Sequence, residues 1–372
     1  MKRTFISFAV LGTILGAVSA QAGGWDRSGQ DTSIILKEGS FLEVTSVSVK
    51  PKVTGTYTGG AAAATATGDG VPNYSFTTMG FRTDISDNMS LAVIQDTPFG
   101  AEVDWTSGTA GASFSGIKAK IKSSATTLLV GYDLDNVTIY GGLKSQSFSA
   151  SASNPLVATY TISSSTDSSL GYVFGAAVEK PEIAMRVSLT YHSSVKHDVA
   201  IVETSLYGDQ SSTLSAKTPE SFNLDFQTGI AANTLLFGTI RRVKWTQTDL
   251  APPKYYYITG LAHAGVGTSL KKFTSDTTSY TLGLGRKFSD DWSGAVTYGT
   301  ESAEGTNGSP LGPTDGYKKL GLGVTYTGKQ STITLGMQKI NMGDTTAVAS
   351  THKASMTGNT ALVTAVKIGY KF

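Results

Sequence analysis

Cysteine is absent from all 372 residues of the chain, so no disulfide framework can hold the fold together. Charge is also sparse, because Asp, Glu, Lys and Arg make up only 16% of the residues. The 30 basic residues nearly balance the 28 acidic ones, and no basic cluster of the kind that binds nucleic acid stands out. We therefore expect no nucleic-acid partner.

Long apolar runs and ligand clusters are missing as well. Beyond the N-terminus no stretch of 18 apolar residues occurs, which excludes a transmembrane helix there. The 4 histidines are dispersed without the spacing of metal ligands. The glycine-rich segments do not lie between a strand and a helix, as phosphate loops do. The sequence therefore predicts no metal, no cofactor and no nucleotide site.

The first residues have the form of a secretory signal. Lys2 and Arg3 are followed by an apolar run over residues 5–18 and by Ala20-Gln21-Ala22, a typical cleavage motif. The alternative is a membrane anchor, but the apolar run is too short to span a bilayer. We predict a signal peptide over residues 1–22, export from the cytoplasm, and a mature chain that begins near Gly23.

The most frequent pattern in the sequence is the alternation of apolar residues with small or polar ones. In residues 361–372 one face of a strand is apolar and the other is small or cationic, a period of two that recurs along the chain. One apolar face is typical of a membrane-spanning strand with lipid outside and a lumen inside. A chain that stops on an aromatic residue after such a strand resembles the terminal strand of bacterial outer-membrane barrels.

The connections between alternating segments fall into two kinds. Tight turns are predicted at residues 86–88, 135–136, 180–182, 232–233, 289–291 and 328–329. Longer polar connections are predicted near residues 58–70, 106–111, 149–168, 207–219, 248–277, 301–316 and 343–359. Short periplasmic turns that alternate with long outer loops are typical of outer-membrane barrels. The fold prediction is therefore all-β, a 14-stranded antiparallel transmembrane β-barrel. A secreted array of β-sandwiches is the alternative, but no linker divides the chain.

Several motifs, taken in order, resemble one family. They lie at residues 25–30, 35–43, 51–55, 90–102, 191–196, 219–221 and 243–245. Together they resemble the FadL/TodX-type outer-membrane transporters of long-chain fatty acids and other hydrophobic compounds. The N-terminal motifs are similar to those of the alphaproteobacterial branch.

The resemblance implies a barrel over residues 41–372 that is closed internally by an N-terminal plug segment, residues 23–40. It also implies that ligand leaves sideways, through a gap where the third strand kinks inward. The residues that would form this lateral gate are Asp96, Pro98, Phe99 and Gly100. Proline cannot donate to a strand ladder and glycine relaxes the backbone, so these residue types favour a break. The ordinary alternative is a strand end below an outer loop.

Cations on the predicted inner face suggest what the lumen binds. If the apolar parity faces lipid, the inward set is Lys144, Arg186, His192, Arg242, Lys244, Lys319, Lys367 and Lys371. Arg242 and Lys244 share a face opposite Val243 and Trp245, so we predict that they bind an anionic headgroup. Arg241 would then point toward lipid. The alternative is that lumen cations simply pair with acidic residues.

The aromatic residues are assigned to two places. Trp25 and Phe99 are predicted ligand contacts, in the plug segment and at the kink. An interfacial girdle is predicted from Trp105, Trp245, Trp292, Tyr280, Tyr298, Tyr326 and Tyr370.

The predicted function is passive uptake of hydrophobic small molecules, foremost long-chain fatty acids, by a monomeric outer-membrane channel without enzymatic activity. Its other partners would be outer-membrane lipid, lipopolysaccharide and the barrel-assembly machinery. One alternative is a general porin for polar solutes. Another is a barrel lipase or deacylase, suggested by His192-Ser193 but lacking an acid partner at a recognisable spacing.

Overall fold

The computed structural model describes residues 25–58, 64–107, 114–262, 265–305 and 308–372. The predicted signal peptide lies outside these ranges. The described residues form a closed 14-stranded antiparallel β-barrel, which confirms the predicted fold class. The wall closes where the first strand pairs with the last, from Phe41 opposite Lys371 to Lys52 opposite Thr360.

The elements follow one another as a long meander. In chain order the strands are β1 (Phe41–Lys52), β2 (Thr56–Tyr57), β3 (Tyr74–Ser86), β4 (Met89–Asp96), β5 (Gly100–Asp104), β6 (Lys118–Leu134), β7 (Val137–Asn154), β8 (Tyr160–Ser164), β9 (Asp167–Lys180), β10 (Met185–His192), β11 (Val195–Ser205), β12 (Gly208–Thr218), β13 (Ser221–Ala231), β14 (Thr234–Val243), β15 (Asp249–Leu250), β16 (Lys271–Lys272), β17 (Thr277–Lys287), β18 (Trp292–Glu301), β19 (Tyr317–Thr327), β20 (Ser331–Met342), β21 (Thr345–Ala349), β22 (His352–Met356) and β23 (Thr360–Lys371). One α-helix, α1 (Pro253–Ala262), follows β15.

The wall consists of β1, β3, β4 with β5, β6, β7, β9, β10, β13, β14, β17, β18, β19, β20 and β23. The chain leaves the wall after β10, forms the β11–β12 hairpin, and returns as β13. The six short turns lie where predicted, between β3 and β4, β6 and β7, β9 and β10, β13 and β14, β17 and β18, and β19 and β20. The shorter strands β2, β8, β15, β16, β21 and β22 all belong to the long connections.

Alternation along the strands separates an apolar outer face from the interior, as predicted. Leu170, Phe174, Leu320 and Ile368 are examples of outward residues. They are exposed because they lie on the outer face of the wall, away from the packed lumen. Of the predicted girdle, Trp292, Tyr280, Tyr298, Tyr326 and Tyr370 are exposed on this face. The prediction was wrong for Trp105 and Trp245, which are fully buried inside, where the strands give way to loops.

The long connections pack together at one end of the barrel. Glu203 of β11 is buried there, and its carboxylate accepts hydrogen bonds from the Tyr160 hydroxyl (2.8 Å) and from the backbone N–H groups of Lys254 (3.2 Å) and Tyr255 (3.0 Å). A carboxylate at this position satisfies free N–H groups in the first turn of α1 and complements the helix dipole. Within the described residues, no helix is both long and apolar enough to cross a membrane.

Candidate ligand path through the barrel

The third barrel strand is broken at the place that the sequence predicts. β4 ends at Asp96 and β5 starts at Gly100, so Pro98 and Phe99 lie between two separate segments. Proline has no N–H to donate to a sheet ladder, which is why the pairing stops here. All four predicted gate residues therefore lie at the break, and their role as a gate stays a prediction.

The backbone groups lost from the wall find partners in the N-terminal segment. Arg27 N–H donates to Pro98 O (3.0 Å), Ser28 N–H to Thr97 O (3.1 Å) and Gly100 N–H to Trp25 O (2.7 Å). The Ser28 hydroxyl also donates to Asp96 Oδ2 (2.6 Å). The N-terminal segment thus acts as a short inner strand, which explains how buried backbone leaves the wall without losing its hydrogen bonds.

The break leaves a window in the wall between β3 and β5. Pairing of β3 with β4 ends at Met79 opposite Gln95, and β5 pairs with β6 alone. Among the described pairings, residues 74–78 of β3 therefore have a sheet partner only on the β1 side, a length of roughly 17 Å at about 3.4 Å per residue. A hydrogen bond from Asp104 N–H to Gly70 O (2.9 Å) bounds the window at the loop end.

A cavity of about 590 Å³ fills this window. Its lining combines residues of the N-terminal segment, of both strand edges and of the neighbouring β6 and β7: Arg27, Asn73, Tyr74, Ser75, Phe76, Thr97, Phe99, Gly100, Ala101, Glu102, Lys120, Ile121, Lys122, Ser123, Ser124, Ser147, Ser149 and Thr166. The cavity therefore lies between the two strand edges, and its lining contains both polar and apolar side chains.

Arg241 binds the N-terminal segment to the inner side of the barrel wall. Its guanidinium makes a bidentate ion pair with Asp26, from Nε to Oδ2 (2.6 Å) and from Nη2 to Oδ1 (3.1 Å). Nη2 also donates to Gln30 Oε1 (3.0 Å), and Nη1 donates to Asn223 Oδ1 (2.6 Å) and Ser221 Oγ (3.1 Å). Such a fork-shaped arrangement is the strong geometry for an arginine and a carboxylate.

The predicted orientation of this strand end was wrong. Arg242 and Lys244 were expected in the lumen, but Arg242 is 54% exposed with Asp276 as its ion-pair partner, and Lys244 is 39% exposed beside Glu220 (2.6 Å). Arg241, expected to face lipid, is buried. Both faces of β14 carry apolar residues, so alternation alone could not decide which one points inward. The interior is apolar at this level, so Val243 and Trp245 point inward and Arg242 and Lys244 point outward.

Arg241 and its partners Asp26, Gln30, Ser221 and Asn223 form the Arg241 hub. Four aromatic rings meet on the loop side of this hub. The ring of Trp245 lies 6.3 Å from Trp25, 5.6 Å from Phe99 and 4.9 Å from Phe273, measured between centroids, and Trp25 lies 5.1 Å from Phe273. The structure therefore brings together the two aromatic residues predicted to contact ligand. It adds Trp245, which was assigned to the girdle, and Phe273, which had no assigned role.

An apolar passage adjoins the aromatic cluster. It is a narrow cavity of about 30 Å³ lined by Trp25, Ala101, Val103, Ala119, Ile121, Ala150, Ser151, Ala152, Ile162, Leu214, Leu250, Leu270, Lys271 and Leu311. Toward the loops it shares Trp25, Ala101, Leu270, Lys271 and Leu311 with a larger mouth cavity of about 820 Å³. Toward the wall it shares Ala101 and Ile121 with the window. The three cavities thus follow one another from the loop end to the opening between β3 and β5.

Lys271 is the charged residue of this passage. Its Nζ lies 4.5 Å from the ring centroid of Phe273, and the side chain lines both the mouth and the apolar cavity. Burial lowers the pKa of the Lys271 ammonium from its usual value, and the Glu304 carboxylate partly offsets this effect. Sequence reasoning missed Lys271 because it lies in a long polar connection, where no periodicity reports which way a side chain points.

The other cations predicted to face inward lie at several levels of the barrel interior. Lys144, His192, Lys319 and Lys367 are buried as predicted, whereas Lys371 is exposed at the end of its strand. Lys367 pairs with Glu43 (3.1 Å) and Arg186 pairs with Glu179. Arg186 Nη2 also donates to Leu36 O (3.1 Å) of the N-terminal segment. Pairing with acidic residues or backbone, the ordinary alternative, thus describes Lys367, Arg186 and also Lys144, whose Nζ donates to Ser193 O (3.3 Å).

The lipase alternative depends on a serine and a histidine within hydrogen-bonding reach. No hydrogen bond joins His192 to Ser193, whose hydroxyl accepts from Tyr172 N–H (2.9 Å). His197 interacts instead with Asp167 (3.0 Å) and Gln146 (3.5 Å). Among the residues that the structure describes, no histidine is hydrogen-bonded to a serine. The predicted lack of enzymatic activity stays a prediction.

Comparison with known proteins places the fold. No family model and no curated protein matches the sequence. A Pseudomonas aeruginosa FadL homologue has a TM-score of 0.75 at 12% identity, over 99% of this chain and 98% of that one. The Pseudomonas putida toluene transporter TodX has a TM-score of 0.64 at 14% identity, over 96% and 98% of the two chains. CymD, a monoaromatic hydrocarbon channel, has a TM-score of 0.61 at 10% identity, over 99% of each. The resemblance to FadL/TodX-type barrels is thus confirmed at the level of the fold.

Proposed function

We propose that this protein is an outer-membrane channel for the passive uptake of hydrophobic small molecules, with long-chain fatty acids as the foremost class. The observation that carries the proposal is the series of three cavities with shared lining residues that leads from the loops to the wall. The lining of the middle cavity is almost entirely aliphatic and aromatic, as expected for a pocket that binds apolar ligands. A general porin would instead need a charged, water-filled constriction.

The proposed route starts at the mouth cavity and passes Trp25 and Leu270 into the apolar cavity. That cavity is too narrow for an alkyl chain at rest, so Trp25 and the aliphatic side chains that line it must move as the ligand enters. Below this level the N-terminal segment lies inside the barrel, where Arg241 and Asn223 of the wall bind it. We propose that residues 25–40 act as a plug there, so that the ligand turns aside at Ala101 and leaves through the window.

We further propose that Lys271 selects amphiphiles with an anionic headgroup. An ammonium group at the rim of an apolar cavity can bind a carboxylate while the alkyl chain enters the cavity beside it. This takes the role that the sequence assigned to Arg242 and Lys244. The structural neighbours support the general class of ligand, since the proteins with this fold include a toluene transporter and a monoaromatic hydrocarbon channel.

The proposal is tested by blocking the point where all three cavities meet. Ala101→Trp in the purified protein, reconstituted into lipid vesicles, should abolish the uptake of a fluorescent long-chain fatty acid. The matched control is Ala200→Trp, an exposed position on β11 that lies outside the three cavities. If Ala101→Trp transports the fatty acid as fast as the control, the route is wrong. Faster passage of a small sugar than of the fatty acid through the parent barrel would favour a porin.

A further inference from the structure

Arg27 spans the window in the wall from the inside. Its guanidinium carbon lies 3.3 Å from the ring centroid of Tyr74 on β3, a close cation–π contact. Its Nε donates a hydrogen bond to Gly100 O (2.7 Å) on β5. One side chain therefore joins the two strand edges that the described sheet pairings leave apart.

The residues around Arg27 are shaped to receive it. A side chain at Gly100 would place its Cβ 3.1 Å from Arg27 Nε, so the lack of a side chain there is what allows the close approach. Arg27 itself is only 5% exposed. The Arg27 side chain thus lies across the window, between the Tyr74 ring of one strand edge and the Gly100 carbonyl of the other.

Arg27 is held much less firmly than the other arginine of this region. Arg241 is bound by Asp26, Gln30, Ser221 and Asn223. By contrast, Nη1 of Arg27 has no hydrogen-bond partner among the described residues, and no described carboxylate forms an ion pair with Arg27. A guanidinium held by one backbone hydrogen bond, by the Tyr74 ring and by the more distant Glu102 carboxylate can be displaced more easily than one held by a bidentate carboxylate.

We propose that Arg27 is a latch that keeps the window closed at rest, and that its side chain must swing away from Tyr74 before a ligand can pass between β3 and β5. The inference rests on the proposed function, because only a channel with lateral release needs such a latch. It assigns to one residue of the N-terminal segment the control of access between the lumen and the lipid. A purely structural brace would support the barrel without controlling access.

The absence of cysteine makes this testable by labelling a single introduced cysteine. Ala101→Cys lines all three cavities, so a thiol there can be reached from the mouth and from the window. The full chain in lipid vesicles is labelled either with an alkyl maleimide that partitions into the bilayer or with a charged maleimide confined to water. Arg27→Met and Tyr74→Leu should each speed labelling by the alkyl reagent roughly tenfold, the factor expected for losing one contact of this kind. Labelling by the charged reagent should stay unchanged.

Two variants keep the test specific. Tyr74→Phe retains the ring and should label like the parent. Lys120→Met changes a cation that lines the same window but pairs with Glu102 (2.7 Å), and it should also label like the parent. If Arg27→Met and Tyr74→Leu label no faster than these controls, the latch is refuted.

Uptake of the fluorescent fatty acid by the same vesicles separates this inference from the proposed function. If the parent takes up no fatty acid but the latch variants still label faster, the transport proposal fails and the latch at the window stands. If uptake by the parent is normal and both latch variants match it in labelling and in uptake rate, the latch fails alone.

Discussion

Replacing Arg241 with Met should release the N-terminal segment from the barrel interior. Met has a similar length and no charge, so the change removes the ion pair with Asp26 and the hydrogen bonds to Gln30, Ser221 and Asn223 while leaving little empty space. Asp26 would then be a buried carboxylate without its main partner. Both the loss of attraction and the desolvated anion oppose docking of the segment.

The magnitude follows from the burial of the pair. Arg241 and Asp26 side chains are 7% and 13% exposed, so solvent screens their attraction only weakly. Removing one partner of a buried ion pair costs roughly 3–5 kcal/mol. At tenfold per about 1.4 kcal/mol, the equilibrium for detachment of the segment should shift by roughly a hundredfold to a few thousandfold.

Amide hydrogen exchange measures this directly. The N–H groups of Arg27 and Ser28 are bonded to Pro98 and Thr97, so their exchange reports docking of the segment against the kink. Arg241→Met should accelerate this exchange and raise the ion conductance of single barrels in a planar bilayer. Arg242→Met is the matched control, one residue away on the opposite, exposed face. Equal exchange and conductance in the two variants would show that the Arg241 hub does not hold the plug.

Two further outcomes are expected from the loop end of the barrel. Because burial lowers the pKa of Lys271, its charge is lost at a lower pH than that of a free lysine, so affinity for a fatty acid should fall as pH rises through that lowered pKa. Titrations of the parent should show this fall for the acid but not for its methyl ester, and Lys271→Met should remove the pH dependence; a parallel fall for acid and ester would contradict it. Glu203→Ala should cost α1 about 0.5–2 kcal/mol of local stability, as for other lost helix caps, and speed exchange of its amides. Glu203→Gln keeps an acceptor oxygen, so it should speed the exchange of the α1 amides less than Glu203→Ala does. Unfolding of the barrel should be unaffected in both variants. Unchanged exchange of the α1 amides in Glu203→Ala would show that the carboxylate does not anchor the helix.

Several features of this protein could be predicted from the sequence because they depend on neighbours along the chain. Strand alternation is a local period of two, and tight turns such as residues 135–136 and 232–233 have their own chemistry, so the strand number and the order of short and long connections followed. The break near Pro98 was also predictable, since a residue without an N–H ends a ladder wherever it stands.

The tertiary structure alone decided which charged residues face the interior at the site. β14 is apolar on both faces, so only the packing of Val243 and Trp245 against Trp25 and Phe99 turned Arg241 inward and Arg242 outward. Lys271 reaches the passage from a long connection that carries no periodic signal.

The contacts of Arg27 could not be predicted from the sequence for a similar reason. Arg27 meets Gly100, 73 residues further along the chain, because the N-terminal segment folds back against the broken strand inside a closed wall. The local sequence pattern determines where strands begin, end and break. The contacts that would bind, steer and release a ligand arise between segments far apart in sequence, because only closure of the barrel brings those segments together.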